Sequence, residues 1–198
     1  MPSIHRIIWN HLGVHRGDTL PCSGIPWTKT DRKVLAKIFT DLGYTKGAEV
    51  GVERGEFSAF LCESIPNVKM LCVDPWIAYS RQSQTREDKI YGQAMQRLNG
   101  RNVEIMRMTS LEASQKIENK SLDFVYIDAL HEFDPVMMDI ILWAPKVRSG
   151  GIVSGHDYQV HYGFGVIQAV QAYTNVHNIN PWYVTTEGFA PSWLWVAP

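Results

Sequence analysis

The stretch Gly47-Ala48-Glu49-Val50-Gly51-Val52-Glu53-Arg54-Gly55 decides how the rest of the chain is read. Gly47 to Val52 is a short apolar run of strand length. Gly51 and Gly55 bracket a turn before Phe57 to Ile65, where Phe57, Phe60 and Leu61 share one face of a helix that Pro66 stops. A buried strand that passes through glycines into a helix is the opening unit of a parallel α/β sheet. Its turn lets backbone approach a ligand closely and leaves free N–H groups at the helix start.

Downstream, the unit recurs. Val68 to Val73 is a second apolar strand that ends on Asp74, and Thr85 to Leu98 carries Ile90, Tyr91, Ala94 and Leu98 on one stripe before Asn99-Gly100. Val103 to Met108 is a third strand, followed by Thr109-Ser110-Leu111-Glu112, whose spacing predicts a capping box and a helix to Ile117. Leu122 to Ile127 is a fourth strand ending at Asp128, and Asp134-Pro135 predicts the N-cap and first position of a helix through Trp143, stopped by Pro145. Gly150 to Val153 is a fifth strand leading into Ser154-Gly155-His156-Asp157-Tyr158, and Val166 to Val176 has a helical pattern. Trp182 to Thr186 and Ser192 to Val196, joined by Glu187-Gly188-Phe189-Ala190-Pro191, read as an antiparallel pair.

Upstream, Thr30 to Leu42 places Val34, Leu35, Ile38 and Leu42 at helical spacing before Gly43, whereas residues 1–29 are irregular in pattern and hold Trp9, Trp27, Pro21 and Pro26. Five βα units and a terminal hairpin imply a mostly parallel sheet covered by helices on both faces, with right-handed crossovers and the ligand at the strands' C-terminal ends.

Composition narrows the function classes. A chain of 198 residues with 45% hydrophobic and 20% charged content suits one folded domain with a sizeable core. Lys and Arg number 19 against 20 Asp and Glu, a net charge of -1, and no basic block is present, so neither nucleic acid nor an anionic membrane is the expected partner. Cys22, Cys62 and Cys72 match no zinc spacing and read as reduced, buried thiols, which suits the cytoplasm. The N-terminus lacks an apolar export segment, and no run approaches the ~20 apolar residues a membrane-spanning helix needs.

Polar residues gather where this fold places its ligand. They are Glu49 to Gly55 after strand one, Asp74 after strand two, Thr109 and Ser110 after strand three, Asp128 with His131 after strand four, and His156 with Asp157 after strand five. A carboxylate at the tip of strand two can accept both hydroxyls of a ribose, although Asp is also a common helix cap. The turn lacks G-x-G-x-x-G, with Glu53 and Arg54 intervening, which removes support for a dinucleotide pyrophosphate.

The order E-x-G-x-x-x-G, the acidic end of strand two and the terminal strand pair resemble class I S-adenosylmethionine-dependent methyltransferases over roughly residues 30–198. The segments Asp123-Phe124-Val125-Tyr126-Ile127-Asp128-Ala129-Leu130-His131 and Ser154-Gly155-His156-Asp157-Tyr158 are similar to a small bacterial and phage branch related to the sugar O-methyltransferases of macrolide tailoring. The resemblance implies a Rossmann-like three-layer sandwich with a seven-stranded sheet in the order 3-2-1-4-5-7-6, strand seven antiparallel. It also implies S-adenosyl-L-methionine as cofactor, with Gly51 near its methionine end, Gly55 in the same turn, Asp74 on the ribose, Thr109 or Ser110 beside the adenine and Asp128 among the cofactor-binding residues; Glu49 can orient the turn or meet the cofactor's ammonium. The common family pattern has a further glycine where this chain has Glu53.

In the related sugar methyltransferases, an aspartate matching Asp128 and an acidic pair at His156-Asp157 hold magnesium, and a histidine matching His131 is the base. Here His156 replaces one of those acids. Two carboxylates, Asp128 and Asp157, suit Mg²⁺, while imidazole at His156 suits a softer divalent ion. A histidine near its ordinary pKa is a reasonable acceptor for the proton of an attacking hydroxyl. The competing structural reading makes Asp128 and His131 a hydrogen-bonded pair and His156-Asp157 a cap.

The expected function is therefore methyl transfer to a small hydroxylated, sugar-like acceptor in a domain spanning 30–198. Residues 1–29 are read as a lid or dimer arm, and a homo-oligomer is among the expectations. Two other readings compete: a catalytically silent S-adenosylmethionine-binding module and an NAD-dependent oxidoreductase. Trp76, Tyr79, Tyr158, His161 and Tyr162 are candidates for an aromatic wall beside the site.

Overall fold

In the computed structural model, which describes residues 3–14, 31–79, 82–185 and 190–198, the strands are Lys46–Val50 (β1), Lys69–Val73 (β2), Val103–Met106 (β3), Leu122–Ile127 (β4), Val147–Gly155 (β5), Trp182–Val184 (β6) and Trp193–Val196 (β7). They form one sheet in the order β3-β2-β1-β4-β5-β7-β6. The first five are mutually parallel, and β7 runs antiparallel to both neighbours. The expected fold class and strand order are both present.

Helices Ile4–Leu12 (α1), Val34–Asp41 (α2), Glu56–Ser64 (α3) and Gln84–Leu98 (α4) cover one face, and Ser110–Ser114 (α5), Phe133–Trp143 (α6) and Val166–Val176 (α7) cover the other. Strand alternation distributes the core between them. Met70, Cys72, Phe124 and Tyr126 pack under α1 to α4, whereas Ala48, Val50, Leu71, Val73, Val125 and Ile127 pack under α5 to α7. Glu49 therefore points into the first layer, where it is buried with Ser58 of α3.

Three local expectations are corrected. Residues 4–12 are not irregular: they form α1, with Ser3 accepting from the Arg6 N–H and Gly13 closing the other end in the left-handed region. Ile8 and Leu12 are buried, and Trp9 Nε1 donates to the Tyr183 hydroxyl at 2.9 Å, so α1 belongs to the core. Ile4, Ile7, Ile8 and Leu12 stand at helical spacing, so this face is present in the sequence and the irregular reading misses it. Helix α6 begins earlier than Asp134-Pro135 suggests, with Glu132 as N-cap and Pro135 inside the first turn, where a missing N–H costs no helical bond. Strand β5 is longer than expected, from Val147, because its register slips against β4 between Leu122 and Phe124 and absorbs Gly150 and Gly151.

The capping box at Thr109 and Glu112 is formed. Among the described residues Cys62 and Cys72 are free thiols, the latter buried, and no helix is long and apolar enough to cross a membrane. Residues 1–2 and 15–29 of the expected lid or dimer arm, including Trp27 and Cys22, lie outside the described residues, as does most of the turn 187–191.

Candidate active site

The C-terminal ends of β1, β2 and β4 open into a cavity of about 620 Å³. Glu49, Gly51, Gly55's neighbours Glu53, Arg54 and Glu56, Asp74, Thr109, Ser110, Asp128 and His131 all line it. His156 lies just beyond, on a small adjoining hollow shared with Asp128 and His131.

Gly51 has φ +90°, and a Cβ there would stand 2.1 Å from the Asp128 carbonyl oxygen, so its glycine is required by the approach of β4 as much as by any ligand. Glu53, where the family pattern has glycine, adopts φ 48°, the left-handed conformation that a glycine takes without strain. Gly55, at φ +71°, is the N-cap of α3. Asp74 reaches across from β2 to hold this turn. One of its oxygens, Oδ2, accepts from the N–H groups of Val52 (3.0 Å) and Glu53 (2.9 Å), and the other from the Trp76 N–H (2.8 Å). Asp74 thus builds the turn, and a ribose would share oxygens already in use.

Glu49 is 2% exposed and accepts a hydrogen bond from the Ser58 hydroxyl, which in turn accepts from the Cys72 thiol at 3.2 Å. Burial pushes the Glu49 carboxyl up to about 8, against the pull of Ser58. Asp128, one strand away, behaves oppositely. Burial raises its pKa, but His131, His156 and Arg32 outweigh that and bring it down to about 2.

Four titratable groups converge around Asp128. His131 Nε2 lies 3.0 Å from Asp157 Oδ2 and 3.8 Å from Asp128 Oδ1. His156 Nδ1 lies 3.3 Å from the same Asp157 oxygen and 3.6 Å from Asp128 Oδ1. Asp128 raises the pKa of His131 against burial, with Asp157 adding to it, and the two carboxylates overcome burial to lift His156 to about 9. Asp157 is held in the left-handed region at φ 57°, where Asp is tolerated better than most residues. Asp128, His131 and Asp157 bring ligand atoms within 4.8 Å of one another, which fits a divalent cation. This grouping contains His131 where the sequence pointed to His156.

Arg32 was not singled out in the sequence, where it sits inside the charged run Asp31-Arg32-Lys33 that resembles a solvated helix start. Its Nη1 is 3.4 Å from Asp128 Oδ2, and its guanidinium lies 4.9 Å from the Phe57 ring centroid while lining the cavity. Of the aromatic candidates, Tyr79 lines the cavity, whereas Trp76 is buried against Tyr91 and Tyr158 packs edge-on to Trp182. Tyr162 is almost fully exposed, and His161 packs at a tilt against Phe164, which also packs against His131.

Known proteins share this fold. The O-methyltransferase from Bacillus cereus in complex with S-adenosylhomocysteine superposes with a TM-score of 0.60 at 15% identity, covering 99% of this chain and 92% of that one. TomG, the Streptomyces achromogenes O-methyltransferase of tomaymycin synthesis, gives 0.61 at 13% identity over 100% and 91%. A putative rRNA-methylase from Clostridium thermocellum gives 0.63 at 12% identity over 87% and 98%. At these identities the likeness is one of fold. An uncharacterized protein of Sinorhizobium fredii, y4gI, is 37% identical over 65 residues, which are 32% of this chain and 7% of that protein, so the chain matches a small part of that relative's length. The family described as "Methyltransferase domain" matches residues 48–158, from inside β1 to the loop that carries Asp157. That match takes in more than half of the chain and both polar ends of the cavity, and on it the chain belongs to the methyltransferase domain family.

Proposed function

We propose that the chain methylates a hydroxyl of a small, sugar-like acceptor bound at the β4–β5 end of the cavity. The observation that carries this reading is the convergence of Asp128, His131, His156 and Asp157 beside a cavity that the Gly51 turn also lines. The cofactor is a sulfonium bearing an ammonium and a carboxylate. The turn after β1 offers backbone donors, Glu49 an acceptor for the ammonium, and Asp74 a shared acceptor for ribose hydroxyls. Methyl transfer then asks for an acceptor oxygen held in line with the methyl group, an effect chiefly of positioning.

His131 takes the hydroxyl proton in this reading. Asp157, 3.0 Å from its Nε2, orients the ring and stabilises the imidazolium that results. Because the carboxylates raise the His131 pKa, the neutral base accumulates only above its ordinary titration range, and turnover should fall on the acid side there. Asp128, Asp157 and one of the two histidines would hold a divalent ion, which when bound would supply charge that acidifies the acceptor hydroxyl. The imidazoles favour zinc, manganese or iron over magnesium.

The test is turnover on an acceptor found by screening sugar and glycoside hydroxyls. His131→Ala should lower kcat about 100-fold or more while leaving S-adenosylhomocysteine affinity near wild type. Undiminished turnover in that variant would sink the base assignment.

A further inference from the structure

Helix α6 is apolar around most of its circumference. From Phe133 to Trp143 it carries two charged side chains, Asp134 and Asp139, and Asp139 is buried with its carboxylate accepting from the Ser110 hydroxyl. Val136, Ile140 and Trp143 face the sheet, as a surface helix requires, yet the outward face is apolar as well. Asp134, Met138, Ile141 and Pro145 follow one another at helical spacing along it. Met138 is 52% exposed and Ile141 50%, and Leu111 of α5, which packs on α6, is exposed to the same extent. A contiguous outer face with no charge between its two ends is a contact surface.

The ends of this stripe define the partner. Glu132 and Asp134 stand at its start. Lys120 and Lys146 stand at its finish, where the Lys120 N–H donates to the Pro145 carbonyl at 3.0 Å and Lys146 Nζ donates to Asn119 Oδ1 at 2.9 Å. Among the described residues none of these four charges makes an ion pair. A stripe that is acidic at one end, basic at the other and neutral between is complementary to itself turned end for end. A lipid surface would ask for Lys or Arg along both borders, and the acids at the start oppose it.

We propose that this face pairs with the same face of a second copy of the chain, the two α6 helices lying antiparallel across a two-fold axis that passes between Met138 and Ile141. Met138 of one protomer then meets Ile141 of its partner, and the symmetry repeats the contact. Glu132 and Asp134 of each protomer stand beside Lys120 and Lys146 of the other. The apolar centre supplies the affinity, and the charged ends fix the register. Met138 and Leu142 also line the cavity, so the pairing brings the partner to the rim of the site. An interface one helix pair wide makes a dimer that exchanges with monomer.

Sedimentation velocity of the full chain over a concentration series tests this. Wild type should pass from monomer to dimer in the micromolar range, more readily in low salt than in high. Met138→Lys and Ile141→Glu should each raise the dissociation constant about 30-fold or more, since each spoils two symmetric contacts at the centre. Mixing the two variants in equal amounts should restore a dimer, because every mixed pair sets one lysine against one glutamate and keeps the other apolar contact. If either variant fails to fold by circular dichroism, Asp134→Lys and Lys146→Glu carry the same test at the ends of the stripe. Each alone brings like charges together twice and should weaken the dimer about threefold or more, and their mixture should restore it. Wild type that stays monomeric throughout would overturn the proposal, as would monomer that sediments with phosphatidylcholine vesicles, which would give the face to a lipid surface. A dimer that neither central variant weakens would place the interface elsewhere, and a mixture of folded variants that stays monomeric would reject the antiparallel register; either result overturns the proposal.

Discussion

At the β4–β5 end of the cavity, Asp128 and Asp157 face two imidazoles and a guanidinium, and Asp128 is held ionised down to about pH 2. One strand away on β1, Glu49 is 2% exposed against 18% for the Asp128 side chain and meets the Ser58 hydroxyl, which the Cys72 thiol backs, and its carboxyl stays protonated up to about 8. The two carboxyls differ in company as well as in burial. A buried acid ringed by cations becomes a fixed negative charge, whereas one ringed by neutral donors becomes a proton store that an arriving cation can discharge.

The largest effect should come from removing the first of these charges. Asp128→Asn leaves His131 and His156 to Asp157 and takes away the carboxylate beside Arg32, and it should cost roughly 3 kcal/mol in urea unfolding of metal-free protein near pH 5.5. The Asp128 pKa is depressed in the fold, so its contribution is present above the unfolded value and is lost as pH falls toward about 2. The His156 pKa is raised, so its share is complete below the ordinary histidine value and is lost as pH rises through about 9. The gap between variant and wild type should therefore be widest between those limits and narrow at pH 9.5. A gap independent of pH would mean that the cluster's charges do not stabilise the fold.

The second effect has the opposite sign. Glu49 has a raised pKa, so the stability linked to its protonated form is complete below the ordinary glutamate value and is lost as pH rises through about 8. Glu49→Gln should match wild type near pH 4 and exceed it by about 2 kcal/mol or more at pH 9. The same carboxyl should release a proton when the cofactor's ammonium arrives. Calorimetry of S-adenosylhomocysteine binding at pH 7 in buffers of different ionisation enthalpy should show that release, and the Glu49→Gln variant should lose it. A wild type without proton release would place the ammonium elsewhere.

The smallest effect concerns the turn between the two acids. Glu53 sits at φ 48°, and its backbone N–H and carbonyl make bonds with Asp74 and Trp76 that glycine keeps. Glu53→Gly should shift stability by no more than about 1 kcal/mol in thermal unfolding, because relief of left-handed strain opposes the greater freedom of the unfolded chain. A larger loss would show that the Glu53 side chain itself supports the turn.

Much of the site is legible in the residues because parallel strands alternate strictly and end where turns begin. Glu49, Gly51, Asp74, Asp128 and His131 stand at positions that any such sheet carries to one edge, and the structure brings them to one cavity. Thr109 and Ser110 arrive there too, but their hydroxyls are engaged by Glu112, Asp139 and Trp143, which spacing alone does not reveal. Arg32 and Asp139 were missed for the same reason. Each is a single charge on or beside a helix, and only the packing of α2 and α6 against the strand ends turns it inward.

The residue pattern by itself determined the alternation of strands and helices, the two-sided core and the edge at which chemistry gathers, because these follow from period-two burial, glycine turns and right-handed crossovers, whereas the strand order came from the family resemblance. Tertiary structure alone decided what each carboxyl does. Burial makes Glu49, Asp128 and Asp139 costly to ionise, and whether a cation or a hydroxyl faces each depends on residues far apart in the chain: His156 beside Asp128, Ser58 beside Glu49 and Ser110 beside Asp139.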